Sequence, residues 1–209
     1  MNRILKRTFD IAASVFLILV FSPAFLLIML AISADSSGKV IFKQKRAGLY
    51  GKPFTFYKFR TMLPEAPRDV ATADLFYAHR YITPVGRFLR QTSLDELPQL
   101  INVLKGDMSF VGPRPVVLTE RHLLTLRHQW GADQVRPGIT GLAQIRGRDE
   151  VHYRRKALYD RYYARHLSPG LDMKILLTTV KYVLKREGIR EGPAHTAGEK
   201  AGNREKSRL

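Results

Sequence analysis

Asp95 and Glu96 stand side by side in a chain otherwise short of acid, with 18 Asp plus Glu against 35 Lys plus Arg. Arg87 and Arg90 precede the pair and Lys105 follows it. Positive charge nearby keeps a carboxylate ionised and can hold an anionic substrate beside it. Two carboxylates suit Mg²⁺ when substrate phosphates complete its octahedron. An ionised Asp can then attack phosphorus and carry a phosphoryl group covalently. The plainer reading of Ser93-Leu94-Asp95-Glu96 is a capping box that starts a helix, with acid in a first turn where the dipole favours it. Pro98 would remove a bond from that helix and argues for a later start. Spacing alone leaves both readings open.

A second set of candidates is basic. Lys58 and Arg60 end a predicted strand, Arg114 lies between Pro113 and Pro115, and Arg146 and Arg148 flank Gly147. Isolated basic residues are ordinarily solvated surface. Arg114 differs, because prolines on both sides fix its backbone, and a preorganised guanidinium grips phosphate oxygens through two hydrogen bonds. Gly112, Gly138 and Gly141 either admit close backbone approach to a ligand or serve as turns. The six His show no zinc spacing, and neither a P-loop nor a GxGxxG motif is present. No Ser has the setting of a nucleophile elbow. Zero Cys excludes disulfides, thiolate metal sites and a Cys nucleophile, and fits a reducing compartment.

The elements that must position these residues can be read along the 209-residue chain. An apolar content of 45% excludes wholesale disorder, and the length suits one domain with attachments. A net charge of +17 calls for a polyanionic neighbour: nucleic acid, an anionic membrane face or phosphorylated substrates. Nothing between Asp10 and Asp35 is charged, and Ile11–Ala34 covers 24 positions. As a helix that is about 36 Å, against about 30 Å for a bilayer core. A secretory signal is one reading, but its apolar region would be shorter. A spanning helix and a re-entrant hairpin, dipping in and returning at Ser22-Pro23, are the other two. Proline removes a helical bond there, yet membrane-spanning helices tolerate kinks. Arg3, Lys6 and Arg7 before the segment and Lys39, Lys43, Lys45 and Arg46 after it give no orientation by the positive-inside rule.

Val40–Arg46 and Pro53–Arg60 predict two strands, joined by a loop holding Gly48 and Gly51. Leu63–Arg80 reads as a surface excursion. Leu94, Leu97, Leu100, Ile101 and Leu104 share one helical face, and Gly106 ends that helix. Phe110–Pro115 and Arg136–Gly141 read as loops. Helices are predicted near Glu120–Trp130, Glu150–His166 and Leu171–Lys185. The last mixes a wide apolar face with Lys174, Lys181 and Lys185, which suits either a membrane interface or a core helix with a solvated face. The polar stretch after Lys185 predicts disorder.

Together these stretches resemble the bacterial sugar transferase family, the small monotopic phosphoglycosyl transferases. The matching residues are Lys6-Arg7, Phe9-Asp10, the apolar segment with Ser22-Pro23, Gln44, Arg46, Gly48 and Lys58–Met62. They continue through Gly86–Pro115 (GRFLRQTSLDELPQLINVLKGDMSFVGPRP), Arg136–Gln144 (RPGITGLAQ), Gly147-Arg148 and Leu171–Ile175. The resemblance implies an α+β, mostly helical fold: a re-entrant helix-break-helix hairpin over 1–35 and a catalytic domain over 36–185. That domain would hold a small β-hairpin and short or interfacial amphipathic helices; the disordered tail over 186–209 is read from its polar, Gly-rich composition and not from the resemblance. It implies transfer of a sugar-1-phosphate from a UDP-sugar to undecaprenyl phosphate with release of UMP. Asp95 would be the nucleophile, Asp95 and Glu96 would hold Mg²⁺, and Lys58, Arg60, Arg90, Arg114 and Arg148 would contact phosphate. The implied setting is monotopic, on the cytoplasmic face of the bacterial inner membrane, against anionic phospholipid and with no nucleic acid bound; a homodimer is one assembly open to it, and the sequence does not fix the oligomeric state.

Two departures stand out: Lys39 replaces a frequent Pro, and Arg146 occupies a position where small or polar residues are common, so it bears on sugar choice. A membrane-anchored, basic nucleic-acid-binding protein is the rival of a different class, with Phe54, Phe56, Tyr57 and Phe59 as a stacking strip. In a strand, however, those aromatics alternate faces. A catalytically idle membrane scaffold is the second rival.

Overall fold

The computed structural model describes residues 3–67, 78–147 and 152–185. Helix α1 (Arg3–Asp35) runs 33 residues, about 50 Å at the helical rise. Pro23 lies inside it. The amide that Pro23 lacks would have bonded the Leu19 carbonyl, and the Ser22 hydroxyl donates to that carbonyl instead, at 2.8 Å. The dipeptide therefore interrupts the bond ladder without ending the helix. Most large apolar side chains of α1, among them Phe16, Leu19, Val20, Leu27 and Leu30, are exposed. It is the one helix among the described residues long and apolar enough to cross a membrane.

Both ends of α1 dock on the same body. Near its start, Lys6 pairs with Asp172 at 2.6 Å and Arg7 donates to the carbonyls of Val103 and Leu104 at 2.5 and 2.7 Å. Buried Asp10 accepts from the Ser109 hydroxyl at 3.1 Å and the Phe110 amide at 3.3 Å. Near its end, Ile28 and Ile32 are buried against Phe59 and Leu89. Asp35 accepts from the Val85 amide at 3.3 Å.

Strands β1 (Ile41–Ala47) and β2 (Pro53–Phe59) form the expected antiparallel hairpin, within a residue of the predicted bounds, in a register running from Ile41↔Phe59 to Ala47↔Pro53. The short helix α2 (Ala78–Tyr81) closes the excursion after β2. Helix α3 (Pro84–Thr92) is capped by Thr83, whose hydroxyl accepts from the Gly86 amide at 3.0 Å. Helix α4 (Gln99–Lys105) ends at Gly106, whose φ of +91° needs a residue without Cβ. Helices α5 (Arg121–Gln129), α6 (Tyr153–Arg165) and α7 (Pro169–Lys185) follow the predicted order.

Two expectations fail here. The stretches Phe110–Pro115 and Arg136–Gly141 are not plain loops, because β3 (Ser109–Val111) and β4 (Gly138–Thr140) pair in parallel, Ser109 against Gly138 and Val111 against Thr140. A Cβ on Gly138 would run into the Gly112 amide, and one on Gly141 into the Gly112 carbonyl. These glycines admit the close approach of one backbone to another. Nor is Leu94–Leu104 one helix: a 3₁₀ turn, Leu94–Glu96, precedes α4, and of the residues expected on one face Leu100 is buried whereas Ile101 and Leu104 are exposed. The main core joins Phe54 and Phe56 of β2, Leu100 and Val103 of α4, Met108, Val111, Leu142, Tyr163 and Ile175. Each such side chain contributes roughly 1.5–3 kcal/mol on burial. The Tyr163 hydroxyl meets its needs inside that core by donating to the Val111 carbonyl at 2.9 Å, with Asp172 Oδ1 2.8 Å away.

Candidate active site

Asp95 and Glu96 lie on a 3₁₀ turn, Leu94–Glu96, wedged between α3 and α4. Ser93 does not act as a capping box. It ends α3 in the left-handed region at φ +57°, its amide donates to the Arg90 carbonyl at 3.2 Å, and its hydroxyl caps nothing. Left-handed backbone on a residue with a Cβ is uncommon and gathers at functional sites. Here the reversal brings the last turn of α3, with Arg90, round to the acidic pair.

Two further contacts fix that corner. A Cβ on Gly86 would collide with the Thr61 backbone, so α3 lies directly on the chain leaving β2. Arg90 Nε donates to the buried Thr61 hydroxyl at 2.8 Å. The end of β2 thus delivers Lys58 to the same place as Arg90. Lys58 pairs across the hairpin with Phe42, and its ammonium lies 5.3 Å from the centre of that ring.

Electrostatics follow from burial. Burial pushes the Asp95 carboxyl up to about 6; Lys58 opposes this most strongly, Glu96 adds to it, and Arg90 and Arg114 oppose it. Burial pulls the Lys58 ammonium down to about 8, against the attraction of Asp95. Near neutral pH Asp95 is therefore a carboxylate and Lys58 an ammonium, each within the field of the other and each close to losing its charge. Glu96 is more open and meets Arg114 Nη1 at 3.5 Å.

Arg60 goes elsewhere. Its guanidinium is buried and bonds the Ser37 carbonyl, the Ser36 carbonyl at 2.6 Å and the Ser36 hydroxyl at 3.1 Å, so it caps the C-terminal end of α1. Arg148 lies outside the described residues, whereas Arg146 is exposed on a 3₁₀ turn, Gln144–Arg146.

Arg46 has a part that its residue type alone did not reveal. Nη1 donates to the Pro115 carbonyl at 2.9 Å, Nε to Gln44 at 3.0 Å, and the guanidinium lies 4.0 Å from the centre of the Phe56 ring. Burial, then Arg114, lowers it to about 10. Arg127 and Asp160 were also overlooked. They form a buried pair at 2.7 Å, and Arg127 Nη1 donates to the Arg114 carbonyl at 2.9 Å. One sign was available: Ala157, Asp160 and Tyr163 recur at helical spacing, placing a lone carboxylate on the buried stripe of α6.

A pocket of about 430 Å³ lies between the hairpin loop and α5, lined by Gly48, Tyr50, Pro113 and Leu124 among others, and the acidic pair does not line it. Among the described residues no three His, Cys, Asp or Glu gather to hold a metal. Asp95 and Glu96 would supply two protein oxygens at most. That fits Mg²⁺, which keeps several waters and takes phosphate oxygens from its substrate.

The described residues form a helix-rich body that holds a carboxylate pair among cations, beside a long apolar helix. Residues 1–186 match the family described as bacterial sugar transferase, and the chain belongs to that family. It is 46% identical over 188 residues to the uncharacterized sugar transferase EpsL of Bacillus subtilis (strain 168), across 90% of this chain and 91% of that protein. It is 39% identical over 204 residues to the undecaprenyl-phosphate galactose phosphotransferase of Salmonella typhimurium, across 90% of this chain and 42% of the relative. Identity reaches 43% over 186 residues with the UDP-glucose:undecaprenyl-phosphate glucose-1-phosphate transferase of Escherichia coli (strain K12), across 86% and 40%. The chain thus spans less than half the length of these last two relatives.

Proposed function

We propose that this protein transfers a sugar-1-phosphate from a UDP-sugar to undecaprenyl phosphate, with Asp95 as nucleophile. The observation that carries the reading is a buried carboxylate under the opposing influence of Lys58, Arg90 and Arg114, in a family of which the Salmonella typhimurium and Escherichia coli relatives are named for undecaprenyl phosphate. An Asp95 oxygen attacks the β-phosphorus of the donor. The bond from that phosphorus to the bridging oxygen breaks, and UMP leaves with the oxygen. A phosphate oxygen of the acceptor then attacks the same phosphorus and displaces the carboxylate, giving a polyprenyl diphosphate sugar. Two steps let two bulky substrates use one site in turn.

Lys58, Arg90 and Arg114 offset the repulsion between an anionic nucleophile and an anionic diphosphate. Asp95 and Glu96 would hold Mg²⁺, which adds positive charge at the phosphate oxygens. Arg46 steadies the Arg114 loop from the hairpin side. Donor alone should label Asp95 with sugar phosphate, seen by mass spectrometry of acid-quenched enzyme. Absence of the adduct together with normal turnover by Asp95→Asn would refute the nucleophile.

The same reading gives α1 a re-entrant course at the cytoplasmic face. A helix about 50 Å long exceeds a bilayer core of about 30 Å, yet Lys6, Arg7 and Asp10 at one end and Asp35 at the other bind one body. A spanning helix would place its ends on opposite sides. Exposed Met173, Leu177 and Val180 on α7 and Leu158 on α6 favour contact with the interface, where nearby Lys and Arg gain about 1 kcal/mol each from anionic lipid. Because the chain has no native Cys, single cysteines at Asn2 and Lys39 report topology cleanly. Labelling from the same side is expected, and labelling from opposite sides would refute re-entry.

A further inference from the structure

Arg114 reaches Glu96 from a segment whose backbone is held on every side. Pro113 and Pro115 restrict φ at both neighbours. Arg46 Nη1 takes the Pro115 carbonyl, and Arg127 Nη1 takes the Arg114 carbonyl at 2.9 Å. Arg127 is itself fixed by Asp160, with Nε and Nη2 at 2.8 and 2.7 Å from Oδ2. The two side chains are only 6% and 2% exposed. A buried ion pair of this kind adds little to stability over apolar groups of similar size, because desolvation cancels most of the attraction. Its strength lies in direction: a guanidinium with two nitrogens locked leaves the third aimed at one place.

We propose that Arg127 and Asp160 are positioning residues. Their pair, formed between α5 and α6, sets the Arg114 backbone so that its guanidinium meets the acidic turn. The proposal rests on the transferase reading above for its catalytic readout. It places a control of the reaction on α6, a helix that contributes no residue to the site.

The double variant Arg127→Met/Asp160→Leu removes both charges together, so no buried charge is orphaned. It should fold, with a thermal midpoint near that of the parent, yet show kcat lowered about 10- to 100-fold. In an Arg114→Ala background the same double change should cost less than about twofold, because residues acting through one partner are not additive. Arg127→Lys can keep the ion pair but lacks the second arm that reaches the Arg114 carbonyl, and it should lose activity likewise. If the double variant fails to fold, Arg127→Lys with and without Arg114→Ala supplies the same cycle. Parent-like kcat, or losses that multiply with Arg114→Ala, would overturn the proposal. An inactive parent would instead sink the transferase reading. Amide exchange at Val116 and Val117 then still reports on the loop, with faster exchange expected in Arg127→Lys and unchanged exchange counting against positioning.

Discussion

Arg60 and Arg114 each follow a rigid stretch of chain and each offers a guanidinium suited to phosphate, yet the fold treats them differently. Arg60 is buried under the end of α1, bonded to carbonyls the helix leaves open. Arg114 keeps its backbone locked and its side chain open, 3.5 Å from Glu96. A single residue type thus serves as internal mortar in one region and as an exposed electrostatic tool in another. Arg7 on the Val103 carbonyl and Arg136 on the Gly106 carbonyl belong with Arg60. Part of the +17 charge therefore answers the chain's own helix ends and implies nothing about external polyanions.

This contrast can be broken by experiment. Asp95→Asn should lower turnover by at least about 10³-fold, since losing a nucleophile outweighs losing any single contact. UMP release with a UDP-sugar, undecaprenyl phosphate and Mg²⁺ measures it. Arg114→Ala should lower kcat about 100-fold, the scale of one donor lost from a charge-stabilising site, while leaving the thermal midpoint in place. Arg60→Ala should do the reverse. Carbonyls left bare cost about 1–3 kcal/mol each, and at roughly 2–4 °C per kcal/mol the midpoint falls several degrees while the folded fraction keeps its KM.

The pH profile sharpens the site half of the comparison. With Asp95 raised to about 6, activity should fall tenfold per unit as pH drops below that value and the nucleophile takes a proton. With Lys58 lowered to about 8, it should fall again above that value as the ammonium loses its charge. Residual turnover by Glu96→Gln should show its acid limb at lower pH, because the Glu96 charge raises Asp95. The smallest effects are expected at Ser93: Gly should be tolerated, and Val should cost about 1–2 kcal/mol of stability by denaturant titration.

What could be read in advance followed periodicity and punctuation. The hairpin, Gly106 as a stop, and α5, α6 and α7 all carry repeating apolar positions or glycines, and they appear where expected. The β3–β4 pair was hidden because three-residue strands show no period and Gly138 and Gly141 look like turn residues. The acidic pair was legible through its neighbours, whereas its 3₁₀ turn was not, since Ser93 with Glu96 satisfies the capping pattern without capping. The bonds of Arg60 to Ser36 and Ser37 were not legible, because residue type says nothing about which carbonyls the fold brings near. The roles of Arg46 and Arg127 depend on partners 69 and 33 positions away, Pro115 and Asp160, which local pattern does not encode.

Helix α1 buries Ile28 and Ile32 against Phe59 and Leu89 while its opposite side stays greasy and bare. Anchor and keystone are then one piece of chain. Cutting away the first 35 residues would not free a water-soluble fragment; it would take Ile28 and Ile32 away and lay Phe59 and Leu89 open, leaving material that clumps rather than works.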